Sequence, residues 1–447
     1  MIHETVTTSQ PFVMDTAFWT ATAIFIIAYA VIVFEKVHKT VIAVFAAGLM
    51  LILKILEQHE AFHVEELGVD WNVIFLLIFM MVIVNLMRPT GIFEYIAIKS
   101  AKWGKGEPFR IMAIFAVVTA VLSALLDNVT SVLLITPVTI LIADALEVDP
   151  IPYLISCALA SNIGGTATLI GDPPNIMIAS KAQLNFMDFI YHLTPIVVVM
   201  MIFYILTIKL IWGRKLKTRE ELKNRIIAME EHEAIKDPIM LKKSLFVLAL
   251  VLTGFVFHGV LHLQPATIAL FGAGLLLLLS KTHEPHHILA EVEWPTIFFF
   301  MGLFIIVGGV VKVGLIKWMS IQVLDLTQGN MFATSMVVIW FSAFASAIVD
   351  NIPYVATMNP LVIDMATQLW PNLSGIQLLH HPDLMPLWWS LALGACLGGN
   401  GSAVGASEKA GNRISFLKFM AYGMPIMIMT VFISTIYVWF RYYILKI

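Results

Sequence analysis

Charged side chains are scarce in this sequence of 447 residues, where Asp, Glu, Lys and Arg together make up 13%. Soluble domains carry about 25%. So little charge over this length excludes a water-soluble globular protein, and the 59% of hydrophobic residues predict an all-α polytopic membrane protein. Basic and acidic residues are nearly balanced, 27 against 30, and no basic stripe is present. Nucleic acid is therefore not an expected partner.

Cysteine is rare as well, and basic residues are missing from the beginning of the chain. The two cysteines, Cys157 and Cys396, lie in apolar runs, which excludes a disulfide framework as the basis of the fold. Residues 1–17 contain no Lys or Arg. Because the basic region of a signal peptide is lacking, we expect the first apolar segment to remain as a membrane span.

Long apolar runs are abundant. A helix that crosses a bilayer needs roughly 20 mostly apolar residues. Suitable segments are 18–35, 40–56, 71–88, 187–212, 244–262, 265–280, 294–311 and 416–440. Four other apolar segments are interrupted by polar residues: 109–146, 151–180, 331–370 and 387–411.

The distribution of Lys and Arg predicts which loops face the cytoplasm. Three loops are rich in basic residues: 36–39, 88–110 and 213–243, which alone holds nine. Segment 57–70 has five acidic residues and no Lys or Arg, so we predict that it and the N-terminus lie outside. Lys312 and Lys317 fall on the predicted outer side, against the rule. The expected location is the cytoplasmic (inner) membrane.

The sequence repeats itself at an offset of 223 residues. The matching landmarks are Trp71 with Trp294, Gly91 with Gly314, Asp127-Asn128 with Asp350-Asn351, and Pro137 with Pro360. This constant offset predicts two structural repeats, 11–212 and 244–440, joined by the charged cytoplasmic segment 213–243.

The segments 109–146 and 331–370 are predicted to be re-entrant hairpins that enter and leave the membrane on one side. Each repeat then has five spans, an odd number, so the second repeat is inverted relative to the first. The predicted architecture is about ten spans, two hairpins and two broken helices. Inverted repeats of this kind are typical of secondary transporters, which bind substrate near the middle of the membrane.

The hairpin tips place a carboxylate and an amide inside the bilayer, namely Asp127-Asn128 and Asp350-Asn351, with Thr130 close by. Such residues are costly in hydrocarbon and indicate a functional site. The alternative is structural, because Asp, Asn and Thr also cap the N–H groups at the start of a helix.

In segment 151–180, the run 161–175 contains three glycines and two prolines at membrane depth, which predict an unwound helix that lines a wet cavity. Its candidate ligands are Asn162, Gly165, Thr166, Thr168, Asp172 and Asn175. Segment 387–411 is the thinner counterpart and supplies Asn400 and Ser402. The alternative is a glycine-rich packing segment with a proline kink.

Thiols bind soft ions, so Cys157 and Cys396 are further candidate ligands, although buried cysteines are more often packing residues. The histidines build no site in the sequence. No metal site or cofactor is expected, apart from H⁺ or Na⁺ as a coupling ion.

The run from Asp127 to Pro137, the run from Asn162 to Asn175 and Gly398-Gly-Asn400-Gly-Ser402 resemble the arsenite-efflux (ArsB) and melanosomal P-protein branch of the ion transporter superfamily, which includes NhaD-like antiporters. The resemblance covers nearly the whole chain and is nearest to bacterial arsenite exporters. It implies a scaffold domain and a transport domain built from the hairpins and broken helices. One departure is Gly405-Ala-Ser407-Glu408, where the family commonly has Asn after Gly-Ala-Ser-Ala.

The resemblance implies export of arsenite or antimonite, driven by the membrane potential or a proton gradient. Expected partners are that substrate or another small ion, lipid, a second copy of the chain and a separate ATPase subunit. A sodium–proton antiporter and a sodium-coupled anion carrier are alternatives within the superfamily. An intramembrane aspartyl protease is disfavoured because its Gly-x-Gly-Asp signature is missing, so no enzyme is expected. A passive channel is the remaining alternative.

Overall fold

A computed structural model describes residues 14–34, 36–64, 66–280, 285–401 and 416–446, and these ranges are helical without strands. The predicted all-α fold is confirmed. The helices of the first half are α1 Thr16–Phe34, α2 Lys39–Ile52, α3 Gln58–His63, α4 Trp71–Met87, α5 Ile92–Trp103, α6 Pro108–Leu125, α7 Asn128–Ala145, α8 Ile151–Gly165, α9 Pro173–Ala182, α10 Phe186–His192 and α11 Thr194–Trp212.

The second half follows the same order of long helices. Its helices, with the connecting α12, are α12 Glu220–Ala228, α13 Pro238–Leu261, α14 Pro265–Ser280, α15 Pro285–Ala290, α16 Trp294–Lys312, α17 Leu315–Thr327, α18 Met331–Val349, α19 Asn351–Leu369, α20 Gly375–Leu379, α21 Met385–Gly398 and α22 Phe416–Val438. Among the described residues, nine helices are long and apolar enough to cross a membrane.

Two details differ from the sequence prediction. Segment 187–212 forms two helices, α10 and α11, because Pro195 stands in the first turn of α11 and cannot continue a preceding helix. The loops after α4 and α16 contain α5 and α17, which were not predicted because each mixes charged with apolar residues.

One end of the helix bundle carries the acidic segment that was predicted outside. Glu60 in α3 accepts a hydrogen bond from Lys312 at the end of α16, with 2.5 Å between Oε2 and Nζ. The Lys312 ammonium holds the pKa of Glu60 below its ordinary value. Trp71, at the start of α4, donates to the carbonyl of Phe62 at the same end. The unexpected position of Lys312 is thus balanced by a carboxylate.

The opposite end carries the basic segment 213–243. Lys236 N–H donates to the Thr90 carbonyl just after α4, at 3.0 Å. Lys243 Nζ donates to the carbonyl of Leu279 near the end of α14, at 2.8 Å. Helix α4 therefore runs from the acidic end to the basic end. Helix α16 follows α14 and runs back to Lys312, so these two matching helices are antiparallel, as an inverted repeat requires.

The repeated glycines have the same conformation in both halves. Gly91 and Gly314 precede α5 and α17 with φ of +81° and +87°. This left-handed conformation is easily adopted only without a Cβ atom. These two landmarks of the predicted repeat thus share one backbone conformation.

Glycines also allow each hairpin to pack closely on its neighbouring broken helix. A Cβ atom on Gly164 in α8 would lie 2.2 Å from the carbonyl oxygen of Ala120 in α6. In the second half, a Cβ on Gly394 in α21 would lie 2.5 Å from the carbonyl oxygen of Ile339 in α18. The helices that hold the polar tips are thus in backbone contact with the helices that break.

We expect Gly164→Ala to destabilise the protein, because the new methyl group collides with the backbone and overpacking costs about 1–3 kcal/mol. Gly274→Ala is the matched control, since nothing lies within 4 Å of a Cβ at that position in α14. Thermal unfolding of the purified protein should show a lower transition for the first variant only. Equal transitions for the two variants would contradict this account of the packing.

Candidate functional site

The first Asp-Asn pair lies at the turn between α6 and α7. Asp127 is extended, with φ −155° and ψ 163°, and its Oδ1 accepts a hydrogen bond from the Thr130 N–H at 2.7 Å. This is the capping geometry that the structural alternative predicts. Asn128 begins α7 and points its amide toward the broken helix. The aspartate thus shapes the tip, and the asparagine next to it is available for other contacts.

The second pair, between α18 and α19, has a different backbone. Asp350 has φ +88°, a left-handed conformation that costs a residue with a side chain about 1–3 kcal/mol. Its Oδ1 accepts from the Asn351 N–H at 2.8 Å, and its Oδ2 accepts from Lys39 Nζ at 2.7 Å. In the sequence, Lys39 indicates only that the first loop faces the cytoplasm. The two residues are 311 positions apart in the sequence, so no local sequence pattern predicts their contact.

The first broken helix is interrupted between Gly165 and Pro173. Asn175 fills the break, because its Nδ2 donates to the carbonyl oxygens of Gly165, Thr166 and Thr168 at 3.4, 3.3 and 2.9 Å. Carbonyl groups freed by unwinding need such partners when they are shielded from water. The Asn175 side chain therefore holds the unwound segment in shape.

The hydroxyl groups of this segment also bond within the protein. Thr166 Oγ1 donates to the Asn162 carbonyl at 2.7 Å, and Thr168 Oγ1 donates to the Ala124 carbonyl at 2.5 Å. A Cβ atom on Gly165 would lie 2.5 Å from the Gly171 carbonyl oxygen. These three residues keep the loop compact. Their polar groups are engaged within the protein, and the side-chain amides nearby contact one another.

A chain of side-chain amides joins the two repeats. Asn128 Nδ2 donates to Asn162 Oδ1 at 3.3 Å, and Asn162 Nδ2 donates to Asn400 Oδ1 at 3.0 Å. Asn128 Oδ1 and Asn400 Nδ2 are buried and have no partner among the described residues. A buried polar atom without a partner costs about 1–3 kcal/mol. The chain thus ends in one acceptor and one donor, suited to a solute that both donates and accepts hydrogen bonds.

A buried carboxylate lies beside the amides. Asp172 has no exposed surface, and its two oxygens accept from Asn351 Nδ2 at 3.1 and 3.4 Å. No basic side chain in the described ranges forms an ion pair with it. An isolated charge in such a place is very costly, which makes Asp172 a candidate residue for holding a proton or a cation. The contact also joins the first broken helix to the tip of the second hairpin.

The family of the chain follows from comparison with known proteins. A family model described as CitMHS, citrate transporter, matches residues 29–394. This chain belongs to the CitMHS citrate transporter family. It is accordingly a multi-pass membrane transporter, which confirms the broader prediction made from its composition and repeats.

Several relatives resemble this CitMHS member over nearly its whole length. The "Uncharacterized transporter Rv2684" of Mycobacterium tuberculosis is 43% identical over 434 residues, covering 95% of this chain and 99% of the relative. The human "P protein" is 32% identical over 515 residues, covering 95% of this chain and 60% of that protein. The solved structure of the Alcanivorax borkumensis YdaH transporter covers 95% of this chain and 99% of its own, with 12% identity and a TM-score of 0.49. The predicted likeness to the P protein is thereby confirmed.

In this CitMHS-family chain, the predicted site residues come together from both halves. Two groups are directly connected, one formed by Asn128, Asn162 and Asn400 and the other by Asp172 and Asn351. Thr130, Gly165, Thr166, Thr168 and Asn175 support the tips and the break, and Asp127 and Asp350 stand at the turns. Ser402, Glu408 and the rest of segment 402–415 lie outside the described residues, as does the departure from the family pattern.

The cysteines are free and buried. Cys396 Sγ donates to Asn175 Oδ1 at 3.4 Å, a contact that the sequence could not indicate. Cys157 is buried in α8, away from that break. Each cysteine precedes the break in its own half of the chain. Within the described residues, Cys396 is the one that contacts a residue of the candidate site.

Proposed function

We propose that this transporter is a secondary active exporter of arsenite and antimonite, driven by the membrane potential or a proton gradient. The observation that supports this proposal best is the chain of amides through Asn128, Asn162 and Asn400. Within the described part of the chain, it offers one acceptor and one donor without a partner at the meeting point of the two halves.

Arsenite near neutral pH is mostly an uncharged trihydroxide, which presents three O–H donors and three oxygen acceptors. Amides can satisfy both kinds of group, whereas a cation cage would bind such a solute poorly. A polycarboxylate such as citrate would instead call for basic side chains, which bind carboxylates strongly. The described site offers one, Lys39, and it is engaged with Asp350.

The carboxylates supply the coupling in this proposal. Asp172 is buried without a basic partner, so its proton or cation is exchanged as the site turns from one side of the membrane to the other. Asp127 and Asp350, at the two tips, are both partly exposed. Alternating access would move the hairpins and broken helices as a unit against the remaining helices.

A second candidate is a sodium–proton antiporter, and one observation favours it. Asp172 lies next to an unwound segment with backbone carbonyls. Carbonyl oxygens together with a carboxylate oxygen are typical ligands of a small hard cation. In that case sodium and protons would bind Asp172 alternately, and the amides would only support the site. Sodium-dependent proton movement in proteoliposomes without arsenite would favour this candidate.

The arsenite proposal is tested in cells that lack their own exporter and are sensitive to arsenite. Expression should raise tolerance and lower intracellular arsenic. Asp127→Asn and Asp350→Asn should each slow export by about tenfold or more, equivalent to about 1.4 kcal/mol, because each removes a charge at a tip. Asp325→Asn, in the exposed part of α17, is the control.

Unchanged tolerance, with the protein detected in the membrane, would refute the assignment of arsenite. Full export by both tip variants would be compatible with arsenite as the substrate, but it would show that the tip carboxylates have no role in coupling. The control variant should export at the rate of the unmodified protein.

A further inference from the structure

A cavity of about 400 Å³ lies where α11 ends and α22 begins. Thr207 in α11 donates to Met429 Sδ in α22 at 3.3 Å. Trp212, further along α11, packs on the ring of Tyr422, nearer the start of α22, so the two helices are antiparallel. Trp212 is the last residue before the basic segment 213–243. The cavity is therefore at the basic end of the bundle, which is predicted to face the cytoplasm.

The wall of the cavity is mostly apolar. Its aliphatic residues come from the loop before α8, from the first turns of α8 and from the segment after α11: Val148, Ile151, Pro152, Ile155 and Leu216. Trp212 and Tyr422 complete the wall, with 4.8 Å between their ring centroids and 43° between the ring planes. Trp and Tyr are enriched where membrane helices meet the lipid headgroups. The cavity thus has the composition of a site at the membrane interface.

Three lysines also line the cavity, namely Lys215 and Lys217 after α11 and Lys418 in the first turn of α22. All three are exposed, and none forms an ion pair or a side-chain hydrogen bond with another described residue. Thr218 Oγ1 donates to the Leu146 carbonyl at 2.7 Å. This bond fastens the segment that carries the first two lysines to the end of α7, so the positive charge is held beside the cavity.

The two acidic residues at the cavity are engaged elsewhere. Glu147 Oε2 accepts a hydrogen bond from Arg219 Nη2 at 2.6 Å. Asp149 Oδ1 accepts from the Ile151 N–H at 3.0 Å, at the start of α8. In the described ranges, neither carboxylate pairs with a lysine of the cavity. The three ammonium groups are therefore available to an anionic ligand, to which they can donate charge-assisted hydrogen bonds.

The cavity adjoins an apolar surface of α11. Leu210, two residues before Trp212, is 87% exposed, and Leu206 is exposed one turn earlier. Leu417, beside Lys418 in α22, is exposed as well. Acyl chains are as apolar as leucine and cover such side chains in a membrane. A ligand that joins an anionic group to hydrocarbon chains would contact both the lysines and the leucines, whereas a free phosphate ion would contact the lysines alone.

We propose that this cavity binds an anionic phospholipid, whose phosphodiester lies among the three lysines and whose acyl chains lie along α11. Basic pockets between membrane helices on the cytoplasmic side are suited to lipid headgroups. The cavity shares no residue with the amide and carboxylate cluster, and the lipid site does not depend on which substrate is transported. A bound lipid would join α22 of the second repeat to α8 and α11 of the first.

The experiment counts the lipids bound to the purified full-length protein by native mass spectrometry. Dioleoyl phosphatidylglycerol is titrated into the protein in a neutral detergent, with dioleoyl phosphatidylcholine in a parallel series. The unmodified protein should bind phosphatidylglycerol saturably and phosphatidylcholine more weakly. In Lys215→Gln/Lys217→Gln/Lys418→Gln, the midpoint for phosphatidylglycerol should rise about tenfold or more, because each Lys near the membrane surface adds to the attraction for anionic lipid.

Lys36→Gln/Lys105→Gln/Lys242→Gln is the matched control. It removes the same charge from exposed lysines of the predicted cytoplasmic segments, and it should titrate like the unmodified protein. Substitutions of exposed side chains rarely affect folding, and thermal unfolding without added lipid checks this for both triple variants.

Two further measurements separate charge and lipid from other causes. Lys215→Arg/Lys217→Arg/Lys418→Arg keeps the charge and should bind phosphatidylglycerol like the unmodified protein. Inorganic phosphate and glycerol 3-phosphate are added as competitors at the concentration of the lipid. Neither should displace phosphatidylglycerol, because both lack the acyl chains that contact α11.

Equal phosphatidylglycerol midpoints for the glutamine variant and the unmodified protein would overturn the proposal. The same loss in the control variant would overturn it too, because overall charge and not the cavity would then attract the lipid. Phosphatidylcholine bound as tightly as phosphatidylglycerol would show that the lysines do not recognise an anion. Displacement of the lipid by inorganic phosphate would show that the occupant is a soluble anion and would refute the lipid assignment.

Discussion

Replacing Asp172 by Asn is expected to lower uphill transport by about 100-fold or more, equivalent to about 2.7 kcal/mol in the barrier. The substitution keeps the size of the side chain and an oxygen that can accept from Asn351. Among the described residues, it removes the only carboxylate that is fully buried between the two halves. The site can then no longer take up and release a proton or cation there, so a gradient cannot drive it.

The fold should survive this change. Burial of the Asp172 carboxylate disfavours the folded state unless a proton or cation neutralises it. An amide needs no such partner, so the unfolding temperature of Asp172→Asn should equal or exceed that of the unmodified protein. Initial rates in proteoliposomes, normalised to the protein incorporated, give the measurement, and Asp325→Asn is the control. A gradient-driven rate within twofold of the unmodified protein would contradict the role of Asp172 in coupling.

Asn162→Ala is expected to weaken substrate binding most strongly. The change breaks both hydrogen bonds in the amide chain and leaves Asn128 Nδ2 and Asn400 Oδ1 without their partner. Two such bonds contribute about 2–3 kcal/mol, and because the substrate has to realign the freed amides when it binds, we expect the KM for arsenite to rise by about 30- to 150-fold. The maximal rate should fall less, because Asp172 and the hairpins are retained.

The comparison for this variant is Asn372→Ala, which removes an exposed amide from the turn after α19. It should leave KM and rate unchanged. A KM for Asn162→Ala close to that of the unmodified protein would mean that the amide chain joins the two halves without contacting the substrate.

Much of the fold could be predicted because its causes are local. Apolar length predicts spans, Gly and Pro predict the breaks, and a constant offset of landmarks predicts the repeat. The structure adds that α4 and α16 run in opposite directions. Helix α5 was not predicted, because Glu94, Lys99 and Lys102 interrupt its apolar face. Its conformation depends on packing against other helices more than on hydropathy.

The site could be predicted as a set of residues but not as a set of contacts. Asn175 was predicted as a ligand, and the sequence did not indicate that its amide donates to three carbonyls of its own segment. The pairing of Lys39 with Asp350 depends on tertiary structure and on a backbone conformation that Asp rarely adopts. The two Asp-Asn tips are identical in sequence but have different partners. Residue types alone could not predict this difference.

We propose that the amide and carboxylate cluster carries out secondary active transport of arsenite. The most direct measurement is arsenite accumulation in proteoliposomes that contain only this protein, with proton, sodium and electrical gradients imposed one at a time. Antimonite, citrate and sodium are tested alongside as alternative substrates. The account predicts accumulation of arsenite against its gradient when a proton gradient or membrane potential is imposed, with saturation and loss in Asp172→Asn. Arsenite movement that only runs down its gradient, or accumulation of citrate or sodium in its place, would contradict it.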